Sequence, residues 1–366
     1  MIIDDKLLKN EERAILSLRG LYKSYGYLPF KMSKFEEYDL YLRNKDFLVS
    51  DRVITFNDAG GRLLALKPDV TLSIIKNTID TPGVKQKVYY NENVYRVSSG
   101  TGQFKEIMQT GLECIGDLDA SDVFEVVSLA ARSLADISSD FVLDISHMGV
   151  LSDIIDIVST DHAFKKAATA LISEKNKHEL RALAENYGAA EDAIEKLLRA
   201  VDLYGSPDSV LSAVAELIDP ASPSYRELSA LCTLLSTTDF YGKLRIDFSV
   251  VNDMNYYNGT VFRGFLAGIF EGVLAGGEYD SLMRRMGRKS RAVGFAIYLD
   301  LLDSIDPVEE LNDVDVLLVY SPDTPVADVI AEKERLIALG NSVQAQSAIP
   351  EKLKYGKLVR LGKESL

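Results

Sequence analysis

The chain has 366 residues, with 41 Lys and Arg against 55 Asp and Glu and a net charge of −14. Affinity for a polyanion comes from cations that neutralise phosphates, so this balance argues against a nucleic-acid platform. At 47% hydrophobic and 26% charged residues, the composition is that of a folded globular protein of about two domains, not a disordered one.

The opening run from Met1 to Ala14 has no basic region followed by an apolar stretch, so no secretory signal is expected. Residues 11–25 read as a helix. Asn10 is a candidate cap, Ala14, Leu18, Leu21 and Tyr25 fall on one stripe, and Gly26 is a stop. Residues 50–90 alternate in short pieces around Gly60-Gly61 and predict strands and a short helix. Two strands are expected at 87–97 and 106–116, joined by the loop Ser98 to Gly102. Asp119 caps a helix near 120–135. From about 155 to 235 strand signals fade, and a helical insertion is expected, with helix ends at Gly188 and Gly205 and a new start at Ser206-Pro207. Strand character returns at 243–251, 256–275 and 290–297, and a helix is expected at 298–304. A strand at 313–320, a helix near 325–339 and a strand at 342–346 then make a small βαβ-like tail. The fold class is therefore α+β, with a large unit over 1–308 and a small α/β segment over 309–366.

No run reaches the ~18 apolar residues of a membrane span. Cys114 and Cys232 lie far apart in apolar strings, which fits core packing and a cytoplasmic location. The three histidines have no metal-ligand spacing, so neither a metal nor a cofactor is expected. Strand parity places Gln109, Gly111 and Glu113 on one face of 106–116 and Met108, Thr110, Leu112 and Cys114 on the other. The polar face is either solvated or a pocket floor for a cationic group, because a carboxylate only accepts hydrogen bonds. Asp69 and Thr71 follow Pro68, and read as helix-capping residues or as partners on one extended face. Tyr256 and Tyr257 precede Asn258-Gly259, a hairpin signal. They are either strand aromatics beside a turn or a pocket lining.

Several blocks together resemble histidyl-tRNA synthetase, a class II synthetase. They are Phe56 to Arg62, Leu66 to Thr71, Tyr89 to Arg96, Gln109 to Glu113, Asn255 to Phe262, Gly276 to Asp280 and Ala292 to Ile297, in family order over roughly 10–305. The resemblance implies a class II aminoacyl-tRNA synthetase-like antiparallel sheet with helices, a helical insertion, and a truncated anticodon-binding domain. It also implies a histidine pocket built from Asp69, Thr71, Gln109, Glu113, Tyr256 and Tyr257, with Arg96 as a neighbour.

The chain departs from that pattern where activation chemistry sits. One family arginine is Asn252 and another is Leu301. Ser98 stands for an acidic residue, Ser33 for a proline, and Asp69 for the usual Glu. Activation builds charge on a phosphate, and removing one preorganised donor costs ~3–4 kcal/mol, so no catalytic residue is expected. A synthetase-like chain with its pocket kept and these arginines lost resembles the regulatory subunits of ATP phosphoribosyltransferase. That family implies a short catalytic subunit as partner, a dimer of this chain, and histidine as the effector of the first step of histidine biosynthesis. The resemblance places part of the dimer interface on the N-terminal helix and the strand after it. The alternatives are an active histidyl-tRNA synthetase, or a non-catalytic paralogue that senses an amino acid or tRNA.

Overall fold

A computed structural model describes residues 8–48, 52–98, 101–251, 257–304 and 312–362. The chain divides into two compact units, Met1–Ile305 and Asp306–Leu366.

The first unit opens with helix α1 (Asn10–Ser24), strands β1 (Leu28–Pro29) and β2 (Phe35–Glu37), and helix α2 (Tyr38–Arg43). Strands β3 (Thr55–Asn57) and β4 (Leu63–Leu66), helix α3 (Thr71–Asn77), and the long hairpin β5 (Gln86–Val97) and β6 (Phe104–Gly116) follow. Next come α4 (Ala120–Ile137), β7 (Phe141–His147) and α5 (Met148–Asp156). The insertion holds α6 (His162–Ser173), α7 (Lys177–Asn186), α8 (Glu191–Asp202), β8 (Tyr204–Gly205), α9 (Pro207–Val214) and α10 (Pro223–Leu235). The unit closes with β9 (Leu244–Asp247), β10 (Thr260–Leu266), β11 (Leu274–Glu278), α11 (Asp280–Arg285), β12 (Arg291–Tyr298) and a 3-10 turn at Leu299–Ser304.

Among the described residues, nine strands form one sheet in the order β1-β5-β6-β12-β11-β10-β7-β9-β8. Its pairs are antiparallel except β1 with β5 and β7 with β9. One face is covered by α4, whose Val126, Val127, Ala130 and Leu134 are fully buried with Leu143, Ile145, Phe262 and Phe295 of the strands. The α4 stripe follows from apolar residues at helical spacing. Asp119 starts the helix by accepting the Ser121 N–H at 2.8 Å. On the other face a smaller core gathers Val70, Leu72, Ile74, Tyr90 and Tyr279. Tyr90 pairs with Gly111, so Gln109 and Glu113 of β6 lie on this second face beside the smaller core.

Several local expectations differ from the structure. Lys9, not Asn10, is the α1 cap, and Glu12 accepts the Lys9 N–H at 3.0 Å, so Asn10 begins the helix proper. Gly205 does not end a helix. With Tyr204 it forms an edge strand on β9, so the insertion adds to the sheet. Strand β9 stops at Asp247 because its carboxylate accepts the Ser249 N–H at 2.7 Å and turns the chain. Asn258-Gly259 makes no hairpin. The Asn258 N–H donates to the Glu278 carbonyl at 3.1 Å, and its side-chain oxygen accepts the Ser281 N–H at 3.2 Å. These bonds tie Asn258 to the end of β11.

The second unit contains β13 (Val314–Tyr320), α12 (Val326–Ala338), β14 (Val343–Gln346) and β15 (Tyr355–Leu361). Its sheet has the order β14-β13-β15, with both neighbours parallel to β13. The continuous apolar run of β13 is what a central parallel strand requires, and Val316, Leu317 and Leu318 are buried. Strand β15 was not expected. Its apolar residues are broken by the exposed Lys357 and Arg360, which masks the period.

Candidate functional site

A cavity of about 360 Å³ opens on the polar face of the large sheet. Asp69, Thr71, Gln109, Glu113, Tyr257 and Arg96 all line it. Tyr256 and Asn252 lie outside the described residues. Leu301 is half-buried against the main core, away from the cavity lining, whereas Tyr298 lines the cavity.

Strand parity puts Gln109 and Glu113 on the cavity floor, where they are 3% and 2% exposed. The neighbouring strand makes room for them. Gly294 of β12 stands opposite Glu113 in register, and a Cβ there would run into its carboxylate. Gly111 likewise faces the Phe295 carbonyl and the Tyr90 hydroxyl with no space for a Cβ. Small residues on both strands thus make room for the Glu113 carboxylate and the Tyr90 hydroxyl on the sheet.

Thr71 and Asp69 sit where α3 begins. Lys67, fully buried, pairs with Glu92 of β5 at 2.9 Å, and the Tyr95 N–H donates to the Lys67 carbonyl at 2.8 Å. These bonds pin the segment before α3 to the strand. Asp69 then accepts the Leu72 N–H at 2.9 Å, so it shapes the helix start and lines the cavity at once. Thr71 turns its hydroxyl to Glu113 Oε1 at 2.9 Å. The Tyr279 hydroxyl donates to Glu113 Oε2 at 2.5 Å.

Burial pushes the Glu113 carboxyl up to about 8, although the Tyr279 and Thr71 hydroxyls both favour its ionised form, and Asp69 adds to the rise. Burial also raises the Asp69 carboxyl, opposed by the Leu72 N–H and by Arg96. Burial thus raises both carboxyl groups of the cavity floor, and a cationic N–H donor brought to them would favour their ionised forms.

Arg96 Nε donates to the Pro68 carbonyl at 3.2 Å, and its guanidinium lies 5.9 Å from the Tyr298 ring centroid. Arg263 of β10 is a second cation on the lining. Tyr279 and Arg263 had no assigned role in the sequence reading. Parity along β10, where Val261, Arg263 and Phe265 alternate with Phe262, Gly264 and Leu266, would have brought Arg263 forward. Tyr279 falls in the Gly276 to Asp280 block, but its contact with Glu113 does not follow from that block, because it spans 166 residues.

Among the described residues no group of three or more His, Cys, Asp or Glu side chains is placed to hold a metal ion. No helix among them is long and apolar enough to cross a membrane.

A family model described as histidyl-tRNA synthetase matches residues 4–302. The chain is 27% identical over 316 residues to the ATP phosphoribosyltransferase regulatory subunit of Oceanobacillus iheyensis, covering 84% of this chain and 78% of that protein. It is 27% identical over 309 residues to the histidine–tRNA ligase of Methanococcus vannielii, covering 81% of this chain and 72% of that one. Among solved structures, an ATP phosphoribosyltransferase regulatory subunit/histidyl-tRNA synthetase from Bacillus halodurans matches with a TM-score of 0.75 at 21% identity. That match covers 99% of this chain and 97% of the other. The ATP phosphoribosyl transferase (HisG:HisZ) complex from Thermotoga maritima matches with a TM-score of 0.63 at 20% identity, over 79% of this chain and 97% of that chain. At these identities the solved structures establish the fold, a class II synthetase-like α+β architecture.

Proposed function

This chain belongs to the histidyl-tRNA synthetase family, and from that premise we propose that it is a non-catalytic regulatory subunit of ATP phosphoribosyltransferase. It binds histidine in the cavity floored by Gln109 and Glu113 and passes that signal to a short catalytic subunit. It works as a dimer in the cytoplasm, in the first step of histidine biosynthesis. Asp69, Thr71, Gln109, Glu113, Tyr256 and Tyr257 hold the ligand, with Arg96 beside them. The large unit over 1–308 carries this site, and the segment over 309–366 is a shortened remnant of an anticodon-binding domain.

One observation supports the reading: Asp69, Thr71, Gln109, Glu113 and Tyr257 share one cavity, while Leu301, where the family has an arginine, packs against the main core. Buried acceptors and hydroxyls converge around Glu113. Leu301 packs into the core, and Tyr298 fills the lining beside it. Position 301 therefore offers no guanidinium to the phosphate charge that adenylation builds, and the Tyr298 ring stands on the lining. The name shared by relatives such as that of Oceanobacillus iheyensis supports the same role. Histidine acts as an effector only if it binds two states of the assembly unequally.

The second reading, an active synthetase, has a specific support in Arg96, which remains on the cavity lining. Two measurements separate them. The chain mixed with the short catalytic subunit of the same cell is expected to co-elute with it, and histidine is expected to inhibit the complex. Histidine-dependent ATP–pyrophosphate exchange is expected to be absent. Exchange at a synthetase's rate, or failure of the two subunits to associate, sinks the proposal.

A further inference from the structure

Arg263 belongs to none of the blocks that carry the family resemblance, yet its side chain lines the cavity. It is exposed toward the opening, and Gly272 leaves its stem room that a Cβ would fill. Register fixes its place. Arg263 pairs with Ala275, Ala275 with Ala296, and Ala296 with Gly111. Paired residues of antiparallel strands point to the same side. One row of the floor therefore runs from a guanidinium across two alanines to a glycine. Gln109 and Glu113 flank that glycine on β6.

Among the described residues the Arg263 guanidinium forms no ion pair. It lies over the Phe265 ring, 5.5 Å from the centroid. Asp144, its register partner on β7, is 7% exposed, and its Oδ1 has no hydrogen-bond partner. The arginine thus lines the cavity with no side-chain hydrogen bond to hold it among the described residues, and the Asp144 carboxyl is its electrostatic neighbour. Arg96 enters from β5 on the opposite side of the row, held by the Pro68 carbonyl and the Tyr298 ring.

The cavity is therefore polarised along this row, with carboxyl groups, an amide and a hydroxyl toward β6 and α3 and the Arg263 guanidinium toward β10. Three strand spacings of about 4.8 Å separate the β10 and β6 backbones. Long side chains reaching inward from both leave room for one small ligand. A ligand that satisfies both ends carries N–H donors for the carboxyl side and an anion for Arg263. We propose that Arg263 is the carboxylate-binding residue of this pocket, so that an amino acid is held as its zwitterion between Glu113 and Arg263. A guanidinium fork accepts a carboxylate through two parallel N–H donors, which supplies both charge and orientation. The assignment rests on the histidine reading above and adds the residue that selects for the free carboxylate. It also supplies a cation to a cavity whose sequence has Asn252 and Leu301 where arginines are expected.

The test compares two ligands that differ at one group. L-histidine and L-histidinol share the ammonium and imidazole, and histidinol has a hydroxymethyl in place of the carboxylate. Calorimetry is run on the full chain, alone and with the short catalytic subunit. The wild type is expected to bind histidine at least tenfold more tightly than histidinol. In Arg263→Ala, histidine is expected to weaken by about that factor, and the two ligands to bind about alike. Arg263→Lys keeps the cation without the fork and is expected to fall between. Undiminished discrimination in Arg263→Ala overturns this assignment and leaves the histidine reading standing. Binding of neither ligand to the wild type overturns both.

Discussion

At the scale of single residues, Glu113 is the buried carboxyl on which the proposed ligand site turns. Its two oxygens already receive hydroxyl donors from Thr71 and Tyr279, and a carboxylate has lone pairs left for a third donor. Desolvation nevertheless holds its proton to about pH 8. The sign follows directly. A carboxyl raised in the folded state contributes stability that is fully present below its unfolded value near 4.5 and is lost as pH rises through about 8. The ligand-free protein is therefore expected to melt at a lower temperature at pH 8.5 than at pH 6. Glu113→Gln, which cannot titrate, should flatten that slope. A cationic ligand group needs the ionised carboxylate, so histidine should stabilise the wild type more at pH 8.5 than at pH 6.5 and release a proton on binding at pH 7. Thermal melts of both proteins with and without histidine read all of this. An equal pH slope in Glu113→Gln would move the titration to another group, with the buried Asp69 the next candidate. This site was half legible in the sequence. Strand parity alone placed Gln109 and Glu113 together, and the first turn of α3 brought in Thr71. The hydroxyl of Tyr279 was not legible, because its contact with Glu113 depends on how β11 and β12 fold back over β6.

At the scale of elements, the sheet register converts local strands into a pocket wall. The run at 106–116 was readable because one face is apolar without interruption. The turn at Asn258-Gly259 was misread because the same dipeptide that favours a hairpin also makes a side-chain bridge, and tertiary partners at Glu278 and Ser281 chose the bridge. That corner is tied down further by Arg291 at the start of β12. It pairs with Glu278 at 2.6 Å and Asp280 at 3.2 Å and donates to the Leu118 carbonyl at 3.1 Å. Glu278 also accepts the Thr260 N–H at 2.7 Å, so one cation holds the ends of β10, β11 and β12 together. Tyr279 lies between its two carboxylate partners. Arg291→Ala leaves Glu278, 5% exposed, without its cation. Breaking a buried pair costs roughly 3–5 kcal/mol, and the half-exposed arginine reduces that to about 1–2 kcal/mol here. Urea unfolding is expected to show that loss, with weaker histidine binding as Tyr279 loosens from Glu113. Unchanged ligand affinity in a destabilised variant would confine Arg291 to a structural role.

At the scale of the whole molecule, the charge of −14 and the division into two units bear on what this scaffold has kept. A net negative charge repels a polyanion, and in the second unit the exposed Lys357 and Arg360 on β15 are a small basic stretch. The ligand chemistry lies elsewhere. The cavity-lining residues run from Phe47 to Tyr298, and the nine strands of the large sheet are complete before Ile305. The second unit has its own parallel sheet and its own buried residues, Val316, Leu317, Leu318 and Leu336. A chain ending at Ile305 should therefore fold cooperatively, because its main core, from Ala14 to Leu302, loses nothing. It should bind histidine within about twofold of the full chain, since every described residue of the cavity lining belongs to the large unit. Calorimetry on the two purified chains makes the comparison. If the shortened chain is soluble and cooperative in melting but no longer binds histidine, the pocket needs the second unit, and the large sheet alone does not define the ligand site.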